Sequence, residues 1–329
     1  MEKRTYKVHH EDEGSRIDRW CQRVLGKAPN SVYQKAMRKG LIRLQGKKVE
    51  GSTRVSRDQT VEVRGDLGMA HAEHHVQARP KKELELTDAL MEEARGWVIH
   101  KDADILIINK PHGLAVQGGS KQVKHLDALL PALQFEARDL PRLVHRLDKD
   151  TSGVLVLARH LKAASELQRA FANKKLQKIY LALVMGQPQP YEGEIVSNME
   201  KEARGAHSRE LVRSVEEDGK RAVTRYRTLE SLAGKISLVE LEPVTGRTHQ
   251  LRVHMAELEC PIVGDGKYGG KHAHVRGTVE LSGKLHLHAW QLHLPAMFGE
   301  RPRVFAAALP QHFSESLDAL NIDLPHAGA

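Results

Sequence analysis

The sequence predicts an α+β protein of two domains, in which a small basic domain precedes a larger one built on a mixed, mostly antiparallel sheet. The length of 329 residues is sufficient for two domains. A polar stretch over residues 66–95 interrupts the apolar periodicity and is interpreted as a linker. Beyond it, many strand-like segments are separated by few helical ones, which is typical of α+β domains. The predicted domains therefore cover residues 14–65 and 96–320.

The small domain is predicted to contain two short amphipathic helices followed by strands. Apolar residues recur at helical spacing in residues 17–25 and again in residues 32–37. A hairpin is expected over residues 41–49, and residues 61–63 are expected to form a closing strand. The order of these elements, with RIDRW opening the first helix and RKGLIR closing the second, resembles an S4 RNA-binding domain.

Basic residues of this domain cluster around the second helix and the hairpin. The whole chain carries 51 Lys and Arg residues against 42 Asp and Glu residues, a formal net charge of +9. This balance favours a polyanionic partner, with RNA or DNA ahead of a membrane surface. Arg38, Lys39 and Arg43 are the candidate RNA contacts in this region. A solvated charged surface is the alternative interpretation of the same cluster.

The two cysteines, Cys21 and Cys260, do not form a zinc motif with the histidines, and we expect no metal site. Cys21 falls on an apolar helix face, which favours a core thiol. We expect both thiols to be reduced, in a cytoplasmic protein. The N-terminus lacks the apolar segment of a secretory signal, and no apolar run is long enough for a membrane span.

In the large domain, apolar or alternating segments predict strands, and apolar residues at helical spacing predict two longer helices. The predicted strands are residues 105–109, 154–158, 180–184, 222–226 and 236–241, and the predicted helices are residues 161–171 and 251–258. A shorter helix from Thr87, a candidate N-cap, to Ala94 is expected at the end of the linker. The linker histidines are interpreted as solvated, because no carboxylate or thiol stands beside them at ligand spacing: His71, His74 and His75.

The segment HRLDKDTSG, residues 145–153, runs directly into the buried strand predicted at residues 154–158. It sets Asp148 on a turn between basic neighbours at the mouth of that strand. A carboxylate held beside cations stays ionised and can act as a nucleophile or base. A surface turn with a salt bridge is the alternative, because turns are rich in aspartate.

Two later segments add a tyrosine and an arginine. Tyr180 begins a strand after a basic helix end, either as a core residue with a satisfied hydroxyl or as a ring that stacks on a base. In TGRTHQLRVH, residues 245–254, Thr248 is a candidate N-cap. Arg252 then lies in the first turn of the helix, with its fork available for a carboxylate or phosphate. An ordinary capped helix with an exposed arginine is the alternative.

Taken together and in this order, HRLDKDTSG, KIYLALVMG and GRTHQLR resemble the family of pseudouridine synthases that includes the ribosomal large-subunit enzymes. Further matches to the same family are residues 108–113, 218–224, 261–269 and 287–289. The likeness covers residues 96–310 together with the S4-like unit. It implies an RNA-modifying isomerase that converts uridine to pseudouridine without a cofactor.

The resemblance also implies roles for individual residues. Asp148 is the catalytic carboxylate, acting on the base or on the ribose C1′, and Arg252 is its expected ion-pair partner. Tyr180 is expected to lie against the uracil ring. Arg146 is expected to hold the base out of its stack, as a wedge or a phosphate contact. The other expected phosphate contacts are Lys149, Lys178 and Arg247. The implied partner is large-subunit ribosomal RNA, free or in a pre-ribosomal particle, and the protein is expected to be a monomer that binds no membrane.

Two alternatives stay open on the sequence. A non-catalytic RNA-binding or ribosome-assembly protein would share the S4-like unit and the basic charge, although it would not need Asp148, Tyr180 and Arg252 together. A nucleoside or RNA glycosidase also cuts a C–N bond with a carboxylate, but it normally uses a second one. Asp150 is a poor candidate for that second carboxylate, because it is expected on the other side of the turn.

Overall fold

The computed structural model describes residues 3–9, 12–26, 28, 30–65, 84–118, 123–202, 211–215, 219–274 and 281–324. The chain divides into two units, Met1–Glu83 and Leu84–Ala329. The three linker histidines and Asp218, which begins one of the matching segments, lie outside the described residues. Among the described residues, no helix has both the length and the apolar character that a membrane-spanning helix needs.

The small unit consists of two helices and a four-stranded antiparallel sheet. Its elements are α1 (Ile17–Val24), α2 (Asn30–Arg38), β1 (Lys3–Lys7), β2 (Ile42–Leu44), β3 (Lys47–Lys48) and β4 (Thr60–Arg64), with strand order β1-β4-β2-β3. Both predicted helices, the hairpin and the closing strand are confirmed. The first strand was not predicted, because its sequence KRTYK is polar and mostly exposed. Its pairing with β4, from Lys3 opposite Arg64 to Lys7 opposite Thr60, extends the unit before the predicted boundary at residue 14.

The apolar stripes of the two helices pack on the sheet as the spacing predicts. Ile17, Trp20 and Tyr33 are fully or almost fully buried, and the Tyr33 hydroxyl donates to the Gly26 carbonyl over 2.6 Å. Cys21 is also buried, and that burial raises the pKa of its thiol to about 12. The thiol therefore stays protonated at neutral pH and acts as a small core residue.

The large unit is built on a mixed sheet in which, among the described strands, one pairing is parallel and the others are antiparallel. The strands are β5 (Val98–Lys101), β6 (Ile105–Lys110), β7 (Arg142–Leu143), β8 (Ser152–Ala158), β9 (Gln177–Met185), β10 (Glu192–Glu202), β11 (Leu211–Val215), β12 (Lys220–Leu232), β13 (Ile236–Pro243), β14 (Leu287–Leu294) and β15 (Arg303–Ala306). Their order is β11-β10-β12-β13-β9-β14-β8-β6-β5, with β15 on β14 and β7 on β8. The predicted mixed, mostly antiparallel sheet is confirmed.

The described helices of this unit are α3 (Asp88–Arg95), α4 (Leu126–Leu129), α5 (Leu161–Ala172), α6 (Gln250–Glu257) and α7 (Gln311–Leu320), with 3-10 turns at Leu130–Leu133 and Gly270–Ala273. The predicted cap of α3 is confirmed, since the Thr87 hydroxyl accepts from the Leu90 N–H over 3.3 Å. Ala94 packs in the main core of the large unit. The last part of the predicted linker therefore belongs to the large unit, because the apolar side of α3 needs that core to cover it.

Residues 154–158 of β8 are apolar at every position because both faces of the sheet are covered there. Leu155 and Leu157 of β8 pack in the main core on one face, whereas Val154 and Val156 pack against α5 residues such as Leu167 on the other. All seven residues of β8 are buried. The continuous apolar run that follows HRLDKDTSG is thus the middle of the sheet, and it gives the preceding turn a rigid base.

Candidate active site

A cavity of about 960 Å³ lies in the large unit, and residues from all three motifs line it. The turn between β7 and β8 contributes residues 143–148, the end of α5 and the start of β9 contribute residues 171–180, and the loop from β13 into α6 contributes residues 242–252. These segments are separate in the sequence and together span residues 143–252. The fold thus brings together Asp148, Tyr180 and Arg252, the three predicted catalytic residues.

Two side chains fix the turn that carries Asp148 through hydrogen bonds with the backbone. The Lys110 ammonium donates to the carbonyls of Pro111, Leu114 and Lys149 over 2.8 to 3.1 Å. Burial lowers the pKa of Lys110 to about 7. On the other side, the Val156 N–H donates to His145 Nε2 over 3.0 Å, and burial lowers the pKa of that imidazole to about 3.

The carboxylate of Asp148 projects from this turn with 29% of its side chain exposed. Within the described part of the chain it accepts no hydrogen bond, and the basic side chain within 4 Å is that of His249, whose Nε2 lies 3.9 Å from Oδ2. Its lone pairs are therefore available to a molecule in the cavity.

Tyr180 lies on β9 with 9% of its surface exposed, and its ring packs in the main core. Burial, together with the charge of Asp148, raises the pKa of the phenol. The hydroxyl makes no hydrogen bond to any other described residue, although the core interpretation predicts a satisfied one. Tyr180 thus presents a neutral phenol with a free donor at the cavity, close enough to Asp148 to respond to its charge.

The expected ion pair between Arg252 and Asp148 is not formed. Arg252 donates from Nε and Nη2 to the two carboxylate oxygens of Asp265, over 2.7 and 2.6 Å. Asp265 is 1% exposed and also accepts from the backbone N–H groups of Lys267 and Tyr268. The Arg252 guanidinium pairs with Asp265 because this buried carboxylate meets two of its N–H groups edge-on. Arg252 still lines the cavity, and the negative charge of Asp148 contributes to raising its pKa.

The start of α6 also differs from the prediction, since Thr248 is not its N-cap. His249 occupies that position with φ 55° and ψ 17°, and its side chain makes no capping hydrogen bond. Instead Gln250 reaches back, accepting from the Arg247 N–H over 3.0 Å and from the Thr245 hydroxyl over 2.7 Å. Its amide also donates to the Val223 carbonyl over 2.9 Å. Gln250 therefore fastens the loop to β12, a role that capping rules for short polar residues do not reveal.

His249 is the second residue that the sequence reasoning missed. Its Nδ1 lies 2.7 Å from the Tyr268 hydroxyl, and its ring edge faces Asp148. The feature of the sequence that could have identified His249 was its position in the centre of the third motif.

The predicted phosphate contacts separate into two groups. Arg146, Lys178 and Arg247 line the cavity, where burial lowers the pKa of Lys178, and Arg247 donates to the Arg221 carbonyl over 3.1 Å. Lys149 is exposed and is not among the residues that line this cavity.

In the small unit, Arg38 and Lys39 are exposed at the end of α2. Arg43 instead donates to the carbonyls of Gly40 and Gly46 over 3.2 and 3.0 Å. Its guanidinium therefore stabilises the hairpin, and a contact with RNA would have to use its remaining donors.

Comparison with known proteins identifies relatives that cover most of the chain. A family model for RNA pseudouridylate synthases matches residues 104–257. Ribosomal large subunit pseudouridine synthase C of Rickettsia felis is 35% identical over 305 residues, which cover 92% of this chain and 95% of that protein. The protein of the same name from Vibrio cholerae is 34% identical over 307 residues, 92% of each chain. The solved structure of human RNA pseudouridylate synthase domain containing 4 has 30% identity and a TM-score of 0.59, covering 72% of this chain and 98% of that one.

Proposed function

This chain belongs to the RNA pseudouridylate synthase family, an isomerase family, and on that premise we propose that it modifies uridines of large-subunit ribosomal RNA with Asp148 as its catalytic carboxylate. One observation carries the proposal. The carboxylate of Asp148 and the free hydroxyl of Tyr180 border the same cavity, whose rim holds cations. A volume of about 960 Å³ is enough for a nucleotide.

The reaction breaks the bond between ribose C1′ and uracil N1, turns the base, and joins C1′ to C5. The proton displaced from C5 is balanced by the one gained at N1, so the reaction involves no net oxidation. An anionic Asp148 supplies the electron pair that acts on the nucleotide while the old bond is broken. The uridine must leave its stack to reach the carboxylate, at a cost of a few kcal/mol.

Tyr180 supports this chemistry through both its ring and its hydroxyl. The ring offers a flat apolar surface for the turned base. The phenol lies beside the same cavity as Asp148, where it can help to remove the proton from C5 of the base. Arg252, held by Asp265, places a guanidinium beside the same cavity, where it can contact the bound nucleotide.

The cations of the cavity supply phosphate contacts in this proposal. Arg146, Lys178 and Arg247 border the space that a flipped nucleotide would occupy, and Lys149 would contact RNA outside it. We further propose that the small unit acts as an S4-type RNA-binding domain through Arg38 and Lys39, with the free donors of Arg43 adding to it. Such contacts fix the position of the RNA, while base contacts in the cavity select uridine.

Tritium release from RNA labelled at C5 of uridine tests the assignment. Asp148→Asn removes the charge and keeps the size, and we expect a loss of at least about a thousandfold in rate with RNA affinity retained. Equal release by both proteins would remove Asp148 from its role.

The products distinguish this reaction from glycoside hydrolysis. The carboxylates that line the cavity are Asp148 and Glu242, and Glu242 is paired with Arg225 at 3.8 Å. Asp150 does not line the cavity. Neither Glu242 nor Asp150 therefore matches the unpaired second acid that a glycosidase needs. We expect pseudouridine in the RNA chain, whereas free uracil would favour the hydrolase.

A further inference from the structure

His249 occupies a backbone conformation that most residues avoid, at a point where its ring faces the cavity. Its φ of 55° places it in the left-handed region directly before α6. Such a conformation costs a residue with a Cβ about 1 kcal/mol or more, although Asn, Asp and His adopt it more readily than others. The strained position puts the imidazole beside Asp148, with 13% of the side chain exposed.

The contacts of Nδ1 define where the ring carries its proton. The Tyr268 hydroxyl accepts from the Val212 N–H over 3.2 Å, so its own proton is available for His249 Nδ1 at 2.7 Å. The Lys267 ammonium, which can only donate, lies 3.3 Å from the same nitrogen. Both neighbours direct donors at Nδ1, which makes that nitrogen the acceptor, so a neutral ring carries its proton on Nε2.

The protonated nitrogen faces the proposed catalytic carboxylate. Nε2 is 3.9 Å from Asp148 Oδ2, beyond hydrogen-bond range but within reach of a small side-chain rotation. Active-site hydrogen bonds are often long in the empty enzyme and shorten once substrate is bound. Since Asp148 accepts no hydrogen bond from another described residue, this N–H is the group placed to fix its orientation.

The supporting contacts form a continuous unit. Asp265 receives the fork of Arg252 and the backbone N–H groups of Lys267 and Tyr268, and these last two residues contact His249. Burial also raises the pKa of Tyr268 to about 12, so its hydroxyl keeps the proton that it donates.

We propose that His249 is the positioning residue for Asp148, donating from Nε2 to the carboxylate when RNA fills the cavity and so holding the oxygen that reacts. The inference rests on the proposed role of Asp148. His249 acts through that carboxylate and takes no proton itself.

Two amide replacements separate this role from a structural one. The amide nitrogen of His249→Gln can reach the place of Nε2, whereas that of His249→Asn reaches only the place of Nδ1. Asn is the residue better suited to the left-handed backbone, so a purely structural role predicts that His249→Asn is the milder change. The positioning role predicts the reverse order. We expect kcat to fall about tenfold for His249→Gln and about a hundredfold for His249→Asn, with KM for RNA within about threefold of the starting value.

A second variant tests the tautomer without replacing the histidine. Tyr268→Phe removes one of the two donors to Nδ1, so we expect kcat to fall about tenfold in the otherwise unchanged chain. In the His249→Gln background the same change should have little effect, because an amide has no tautomer to fix. The comparison of Tyr268→Phe in the two backgrounds does not need His249→Asn, so it still tests the proposal if that variant fails to fold. Thermal unfolding shows whether each variant folds.

These experiments distinguish a failure of the His249 role from a failure of the proposed function. If Asp148→Asn retains tritium release, the proposed function fails and this inference with it. If Asp148→Asn is inactive, while His249→Asn matches or exceeds His249→Gln in kcat, the positioning role alone is overturned. Equal effects of Tyr268→Phe in both backgrounds would also overturn it.

Discussion

At the scale of the residue, Arg252 pairs with Asp265 and not with Asp148. A guanidinium binds best to a carboxylate that meets both of its N–H groups edge-on, and Asp265 does so while almost fully buried. This arrangement leaves Asp148 without a direct ion pair. A carboxylate free of strong partners can bind a substrate without first breaking a salt bridge, which suits a reacting group.

Asp265→Asn is the residue-scale prediction. It keeps the shape but leaves Arg252 as a buried, uncompensated charge, so we expect the free energy of unfolding to fall by about 3 to 5 kcal/mol. Urea denaturation measures this loss. Glu240→Gln, which removes the partner of the exposed Arg227, is the matched control and should cost at most about 1 kcal/mol. Equal losses from the two changes would show that burial of the pair does not matter.

At the scale of the element, the parallel junction between β8 and β14 sets the site in place. Ser152 and Gly153 pair with His288 and Ala289, directly after the turn that carries Asp148. Gly153 has φ 110°, and a Cβ there would lie 2.1 Å from the Ala289 carbonyl oxygen. The glycine that ends the first motif is therefore required by the close approach of two strands.

Gly153→Ala tests this junction. The added methyl group must displace backbone and also meets an unfavourable φ, so we expect a loss of more than about 2 kcal/mol in stability together with a fall in activity. Gly283→Ala, where a Cβ meets nothing within 4 Å, is the control and should change stability by about 0.5 kcal/mol or less. Urea denaturation of both variants decides the matter, and a harmless Gly153→Ala would contradict the packing argument.

At the scale of the whole molecule, the buried histidines of the large unit make its stability depend on pH. His254, His286 and His288 are fully buried, and burial lowers the pKa of each to about 4. In the unfolded chain a histidine has a pKa of about 6.5. Between these two values the unfolded chain therefore binds more protons than the folded one.

Stability should accordingly be complete above about pH 6.5 and fall as the pH approaches 4, by about 1.4 kcal/mol per pH unit for each of these histidines. Thermal unfolding between pH 7.5 and pH 5 measures the fall. A melting temperature that stays constant over this range would contradict the assignment of these residues as neutral core groups.

The net charge of +9 gives the second prediction at this scale. Binding to RNA should weaken steeply with salt, because each phosphate neutralised releases counterions. If the small unit contacts phosphate, Arg38→Ala and Lys39→Ala should each lower the slope of log affinity against log salt by about 0.7. Asp58→Asn, an exposed acidic site of the same unit, offers a matched control. Unchanged slopes in filter binding would confine the RNA contacts to the large unit.

Both helices of the small unit, five strands of the large unit (β6, β8, β9, β12 and β13), the mixed sheet and the motifs around Asp148, Tyr180 and Arg252 were readable from the sequence. Periodicity and turn residues act over a few positions, so they are visible without a fold. The polar strand Lys3–Lys7 escaped prediction because it gains its stability from pairing with a strand more than fifty residues later.

Only the tertiary structure decided that Arg252 pairs with Asp265, that Gln250 fastens the loop, and that His249 faces Asp148. It also decided that Lys149 does not line the cavity. Each of these choices depends on burial and on the angle at which distant segments meet. Sequence spacing specifies which groups are available, whereas the packed core decides which of them come within a few ångströms of one another.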